Sequence, residues 1–164
     1  MDLIGKIYPS SSKGHCFILV ATDYFSKSVE AVPLKKAEQK DVIQFIKEHL
    51  IHRFGIPQSI TTDQGTMFTG DEMQEFAADY RIKLVRSSPH YPQANGQAEA
   101  SNKVLIGILE KMMEENPRDW HRLLSETLWA YRTSKRSATG VSPYSLVYGH
   151  DAILLMEVVV PYLE

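Results

Sequence analysis

Phe17-Ile18-Leu19-Val20-Ala21-Thr22 is a continuous apolar run of six residues. A run of that length between turn signals reads as a strand covered on both faces. Upstream, Asp2 to Ile7 reads as a second short strand that ends near Pro9, and the polar stretch Ser10 to Gly14 as the turn between the two. Downstream, Ser28 to Leu34 sets Val29, Ala31 and Val32 around Glu30 and stops near Pro33. Three strands joined by turns predict an antiparallel meander.

The period then changes. Val42, Ile43, Phe45, Ile46, Leu50 and Phe54 recur at helical spacing across residues 37–54, with Gly55 at the C-cap and Pro57 beyond it. Ser59 to Thr62 reads as a strand ending at Asp63, Asp71 to Tyr80 as a helix, and Lys83 to Arg86 as another strand. Pro, Gly and Asn mark Ser87 to Gly96 as a loop. A long helix from about Asn95 to Glu115 carries the stripe Leu105, Ile108, Leu109 and Met112. Asn116-Pro117 opens a helix bearing Trp120, Leu124, Leu128 and Tyr131, and Ser142-Pro143 opens a last one closed by Gly149. Five strands and the helices between them predict an α/β domain, a mixed five-stranded sheet flanked by helices. The core is expected over residues 1–150, with 151–164 as a C-terminal extension.

Bulk properties narrow the function classes. Hydrophobic residues are 43% and charged residues 23% of 164 residues, a globular balance. A net charge of −2 argues against tight non-specific DNA binding by this chain alone, though a local basic strip remains compatible with it. A single cysteine, Cys16, rules out an internal disulfide and the common Cys-rich zinc sites. The opening residues do not read as a signal peptide, and no stretch is long and apolar enough for a membrane span.

Three acids stand out by position. Asp2 lies on the first strand, Asp63 ends the fourth, and Glu99 falls in the first turns of the long helix. Ligand sites in α/β sheets favour such strand ends. Singly, each acid has an ordinary reading, as a turn former or as compensation for a helix dipole. Together, three carboxylates repel one another unless cations join them. Hard divalent ions, Mg²⁺ above all, suit an all-oxygen donor set, and two such ions about 4 Å apart clamp a phosphodiester.

The words around these acids carry a resemblance. Thr62-Asp63-Gln64-Gly65-Thr66-Met67-Phe68 and Ser88-Pro89-His90-Tyr91-Pro92-Gln93-Ala94-Asn95-Gly96-Gln97-Ala98-Glu99, with 35 residues between Asp63 and Glu99, resemble the second and third acid motifs of the retroviral and retrotransposon integrase core. Met1-Asp2-Leu3-Ile4-Gly5 is similar to the first-acid strand. Phe25-Ser26-Lys27 and the stretch from Ser142-Pro143-Tyr144 to Tyr148-Gly149 also match family landmarks. The likeness covers nearly the whole chain and is strongest to gypsy-class long-terminal-repeat retrotransposons. It implies a ribonuclease-H-like fold. It implies 3′-end processing and strand transfer on DNA, with Asp2, Asp63 and Glu99 as catalytic residues and ligands of Mg²⁺ or Mn²⁺, two ions when DNA is bound.

On the family pattern the loop from Pro89 to Gly96 meets the DNA end. His90, Tyr91, Asn95 and Gln97, with Gln64 and Gly65 beside the second acid, are its expected contacts. Asn102 and Lys103 share a helix face with Glu99 and read either as DNA contacts or as a solvated polar face. Element ends and target DNA, and further copies of the chain, are the implied partners. The resemblance further implies synthesis in the cytoplasm within a polyprotein and work in the nucleus.

Some positions depart from the family pattern. Ile106 and Ala100 stand where many relatives have basic residues, and Leu154-Leu155-Met156 lacks an expected proline. With only Met1 ahead of Asp2, a trimmed first strand is expected to anchor that acid poorly. Asp23 reads as a turn residue with Tyr24-Phe25-Ser26, and His49 and His52 as surface groups. Trp129 is a candidate for facing a partner subunit. Two rival classes remain: a host-retained, non-catalytic DNA- or protein-binding module, and another ribonuclease-H-like nuclease.

Overall fold

The computed structural model describes residues 1–87, 92–114 and 116–153, and within them not the side chains of 92–95 and 97. The expectations for Pro89, His90 and Tyr91 and for the tail with Leu154–Met156 lie outside the described residues.

The meander forms as its patterning requires. Strands β1 (Asp2–Gly5), β2 (Phe17–Thr22) and β3 (Val29–Leu34) pair antiparallel in the order β1-β2-β3. Asp2 faces Val20 and Ala31 faces Val20 from the other side, so β2 is the central strand. Its apolar residues divide by parity. Leu19 and Ala21 join a core with Val42, Phe45, Ile60, Phe68, Met73 and Phe76, while Ile18 and Val20 join a second core with Val29, Leu105, Leu109, Trp120, Leu124 and Tyr131. Burial on both faces explains why β2 is a run rather than an alternation.

The first core is covered by α1 (Gln39–Phe45), which opens on a reciprocal capping box between Glu38 and Asp41. This helix continues through a π-helical stretch, Ile46–Ile51, into α2 (His52–Phe54). It ends at Gly55, whose φ of +93° favours a residue without Cβ. Strands β4 (Ser59–Thr62) and β5 (Lys83–Arg86) pair parallel and are linked by α3 (Thr66–Thr69) and α4 (Asp71–Asp79). The second core is covered by α5 (Pro92–Met112) and α6 (Trp120–Thr133). The short α7 (Pro143–Tyr148) opens on the Ser142 hydroxyl, which accepts from the Ser145 amide at 3.1 Å, and closes at Gly149.

Three expectations need correction. The mixed five-stranded sheet is two sheets, one of three strands and one of two. A ladder needs successive N–H and C=O partners. Among the described residues, β1 and β4 meet through the Met1 ammonium, which donates to the Thr61 carbonyl at 2.5 Å, without such a ladder. The same apolar core still runs under both sheets, with Leu3, Ile60 and Leu84 in it. Second, helix α5 starts at Pro92, so residues 92–96 are helix rather than loop. Third, α3 is an extra turn too short to show a period.

Candidate active site

The carboxyl end of β4 and the start of β1 converge on one cleft of about 880 Å³. Asp2, Asp63 and Glu99 all line it, arriving from β1, from the residue after β4 and from α5. The three acids singled out in the sequence, 61 and 36 positions apart, therefore face one space.

Asp2 is held on both oxygens. Its Oδ1 accepts from the Leu3 amide at 2.8 Å, and its Oδ2 accepts from Asn102 Nδ2 at 2.7 Å. The second bond ties the first strand to α5, three residues beyond Glu99. Asn102 is thus engaged with an acid, and its Oδ1 is buried without a partner among the described residues. Asp63 Oδ1 accepts from the Gly65 amide at 2.9 Å. A Cβ at Gly65 would stand 3.0 Å from that oxygen, so a side chain there would crowd the carboxylate it serves. Glu99 is exposed and makes no hydrogen bond or ion pair with the described residues.

Asp2 and Asp63 both act on the same ammonium. Burial pushes the Met1 ammonium below its ordinary pKa, and both Asp2 and Asp63 pull it back up. Asp23 adds another acid to the lining, as does Glu30, whose carboxylate is already paired with Arg53 and Arg132, and among the described lining residues none is Lys, Arg or His. Such a wall attracts cations. Among the described residues, no three His, Cys, Asp or Glu side chains are gathered into a group able to hold a metal ion.

The other expected contacts are dispersed. Gln64 is exposed beside Asp63, Lys103 is exposed on α5, and Asn95 and Gln97 lie in α5 with side chains outside the description. Asp23 is the turn residue its context suggests: its Oδ2 accepts from both the amide and hydroxyl of Ser26 at 2.7 Å. The sequence reading passed over the cleft-wall roles of Tyr24, Phe25 and Glu30. Only the phrase Asp23–Ser26 hinted at a built turn there.

The site belongs to an α/β domain whose cleft is lined by acids from a strand, a strand end and a helix, and comparison with known proteins identifies the class. The chain belongs to the integrase core domain family, whose model matches residues 1–92, more than half of it. It is similar to the Pro-Pol polyprotein of feline foamy virus (30% identity over 94% of this chain and 13% of the polyprotein). It is also similar to the Gag-Pol polyprotein of avian reticuloendotheliosis virus (32% identity over 83% of this chain and 12% of the polyprotein). The chain thus spans about an eighth of these relatives. Among solved structures it resembles a simian T-cell lymphotropic virus intasome chain, with TM-score 0.71 and 26% identity over 79% of this chain and 47% of that one. The catalytic core of BIV integrase shares the fold, with TM-score 0.72 and 21% identity over 90% of this chain and 92% of that one. So does an HTLV-2 integrase core in complex with magnesium, with TM-score 0.67 and 22% identity over 88% and 93%.

Proposed function

We propose that this chain is the catalytic core of a gypsy-class retrotransposon integrase, performing metal-dependent polynucleotidyl transfer on DNA by 3′-end processing and strand transfer. The core comprises residues 1–150, with 151–164 as an extension. The observation that carries this reading is the cleft: Asp2, Asp63 and Glu99 all line it, and among the described lining residues none is Lys, Arg or His. That donor set fits hard divalent cations, Mg²⁺ or Mn²⁺. The magnesium complex of the HTLV-2 core supports the choice.

Asp2, Asp63 and Glu99 would hold such ions, which would supply Lewis-acid chemistry for phosphoryl transfer. The chain's own residues prepare that chemistry. Asn102 fixes Asp2, and the Gly65 amide fixes Asp63, so two of the three acids are oriented before any ligand arrives. Glu99 completes the set from the helix. Gln64, Gly65, His90, Tyr91, Asn95, Gln97, Asn102 and Lys103 are the DNA-contacting set. The wider protein is a polyprotein product that assembles with copies of itself and acts on element ends and target DNA in the nucleus.

One observation favours a rival, a non-catalytic binding module of the same fold. The described acids are not gathered into a metal-holding group. Calorimetric titration of Mg²⁺ or Mn²⁺ into wild type and Asp63→Asn decides between them. Saturable binding that the substitution abolishes is the expected result. A folded wild type that binds neither ion overturns catalysis and leaves the module.

A further inference from the structure

Phe25 is 81% exposed, more than any other large apolar side chain among the described residues, and Tyr24 beside it is 51% exposed. Both sit on the turn between β2 and β3, and both line the cleft that holds Asp2, Asp63 and Glu99. An isolated exposed aromatic needs no explanation. A pair of them, on a turn this firmly built, does.

The base of the turn is rigid. Asp23 Oδ2 accepts from the Ser26 amide and hydroxyl, the Asp23 amide donates to the Ser28 carbonyl at 2.8 Å, and the Lys27 amide donates to the Asp23 carbonyl at 3.0 Å. Lys27 adopts φ +58°, a region non-glycine residues rarely occupy, and its carbonyl oxygen lies 3.1 Å from Tyr131 Oη. Tyr131 is buried, and the same Oη lies 3.1 Å from Ser101 Oγ on α5, two residues after Glu99. The turn and the helix of the third acid therefore share one anchor.

The tip is arranged as well. The Tyr24 and Phe25 rings meet edge to face, 88° apart with centroids at 5.3 Å. Lys27 Nζ stands 4.5 Å from the Tyr24 ring centroid and also donates to the Tyr24 carbonyl. Tyr24 is therefore occupied as a brace, which leaves the Phe25 ring as the available flat surface. An exposed aromatic face at the cleft matches the π-face of an unpaired nucleobase.

We infer that Phe25 is a stacking platform for an unpaired DNA base at the mouth of the cleft, braced by Tyr24 and the Asp23–Ser26 turn. This rests on the proposed function, because the cleft must receive DNA. It explains why a large apolar ring is kept in water on a rigid support. An unpaired base, unlike one inside a duplex, offers both π-faces to such a ring.

The test uses the 164-residue chain and two labelled oligonucleotides of the same duplex, one blunt and one with an unpaired overhang carrying 2-aminopurine. Anisotropy reads affinity, and 2-aminopurine quenching reads stacking. Phe25→Ala and Phe25→Leu should weaken overhang binding roughly 5- to 150-fold and abolish quenching, the range set by the loss of one base stack. Blunt-duplex binding should not change, and Phe25→Trp should restore both signals. Leucine keeps apolar bulk without a ring, so it separates stacking from simple contact. Equal overhang affinity and quenching in wild type and Phe25→Ala overturn the inference, as does an altered oligomeric state with DNA affinity unchanged, which would assign the turn to protein docking. Binding of neither oligonucleotide, with divalent-ion titration intact, also overturns it. Loss of both DNA binding and the ion titration overturns the proposed function itself.

Discussion

The two faces of the meander do different work for the site. The core under α1 and α4 includes Leu3 of β1, Ile60 of β4 and Leu84 of β5, so it fixes Asp63 relative to Asp2. The core under α5 and α6 includes Ile18, Val20, Leu105, Leu109 and Trp120, so it fixes the Glu99 helix relative to the same strand. The cleft is assembled by two packing problems that meet on β2. The first is solved close to the acids, at strand ends. The second positions Glu99 through a helix that is also tied to β1 at Asn102 and to Tyr131 at Ser101.

The largest effects come from damaging one core at a time. Trp120 is fully buried in the second core and donates from Nε1 to the Pro9 carbonyl at 3.2 Å. Trp120→Ala should cost about 3–5 kcal/mol in denaturant unfolding. Met73, fully buried in the first core, should cost about 2–5 kcal/mol as Met73→Ala. If the division is sound, hydrogen exchange in Trp120→Ala should rise in α5 before β4, and Met73→Ala should show the reverse. Identical exchange maps would mean the cores are one cooperative unit.

Arg132 tests the seam between the cores. It leaves α6, donates from Nε and a terminal nitrogen to the Val29 carbonyl at 2.9 and 2.7 Å, and reaches Glu30 Oε1 at 2.8 Å. Glu30 is buried and also bonds Arg53 at 3.0 Å. Arg132 thus covers the open edge of β3 and grips an acid on the first-core face. Arg132→Leu should destabilise by about 1.5–3 kcal/mol, the value of hydrogen bonds to charged groups. A thermal shift near zero would show that Arg53 alone satisfies Glu30.

A smaller stability effect has a sharper functional readout. Asn102→Ala removes the link between the first acid and the third acid's helix, and should cost about 1 kcal/mol. Loss of such an outer-shell partner should weaken divalent-ion affinity about 10- to 100-fold, since Asp2 is no longer oriented. Unchanged ion affinity would show that the Leu3 amide orients Asp2 by itself.

These contrasts explain what could be read from the sequence. Strand β2 and the helices with apolar stripes were legible because burial on one or two faces leaves a period. The elements that carry the three acids were legible, because a strand, a strand end and a helix start are local features. The loop reading of residues 87–96 failed at its end because Asn95 and Gly96 carry loop composition, although a proline at a first helical position was the available signal. The split sheet was not legible, because strand pairing depends on contacts such as Met1 to Thr61, 60 residues apart. Nor was the bond from Asn102 to Asp2, which spans 100 residues, or the reach of Arg132 to Glu30.

The smallest expected effect lies at the far end of the second core. His15 bonds Ser11 Oγ through Nδ1 at 2.9 Å and lies beside His121, ring centroids 5.4 Å apart. Partial burial lowers the His15 pKa, and His121, Lys35 and Lys13 lower it further. In the unfolded chain this histidine takes up its proton near its ordinary pKa of about 6.5. The folded chain resists protonation until lower pH, so below about 6.5 the unfolded state binds more protons and stability falls with pH. Above that point both states are neutral at His15 and its contribution is constant. The melting temperature should therefore decline as pH drops from about 6.5 toward 5, and His15→Gln should flatten that slope while leaving the neutral-pH value little changed. Met73→Ala should lower the whole curve and keep its slope, because that residue lies in the core His15 does not touch. A slope altered by Met73→Ala and not by His15→Gln would dissolve the separation of the two cores.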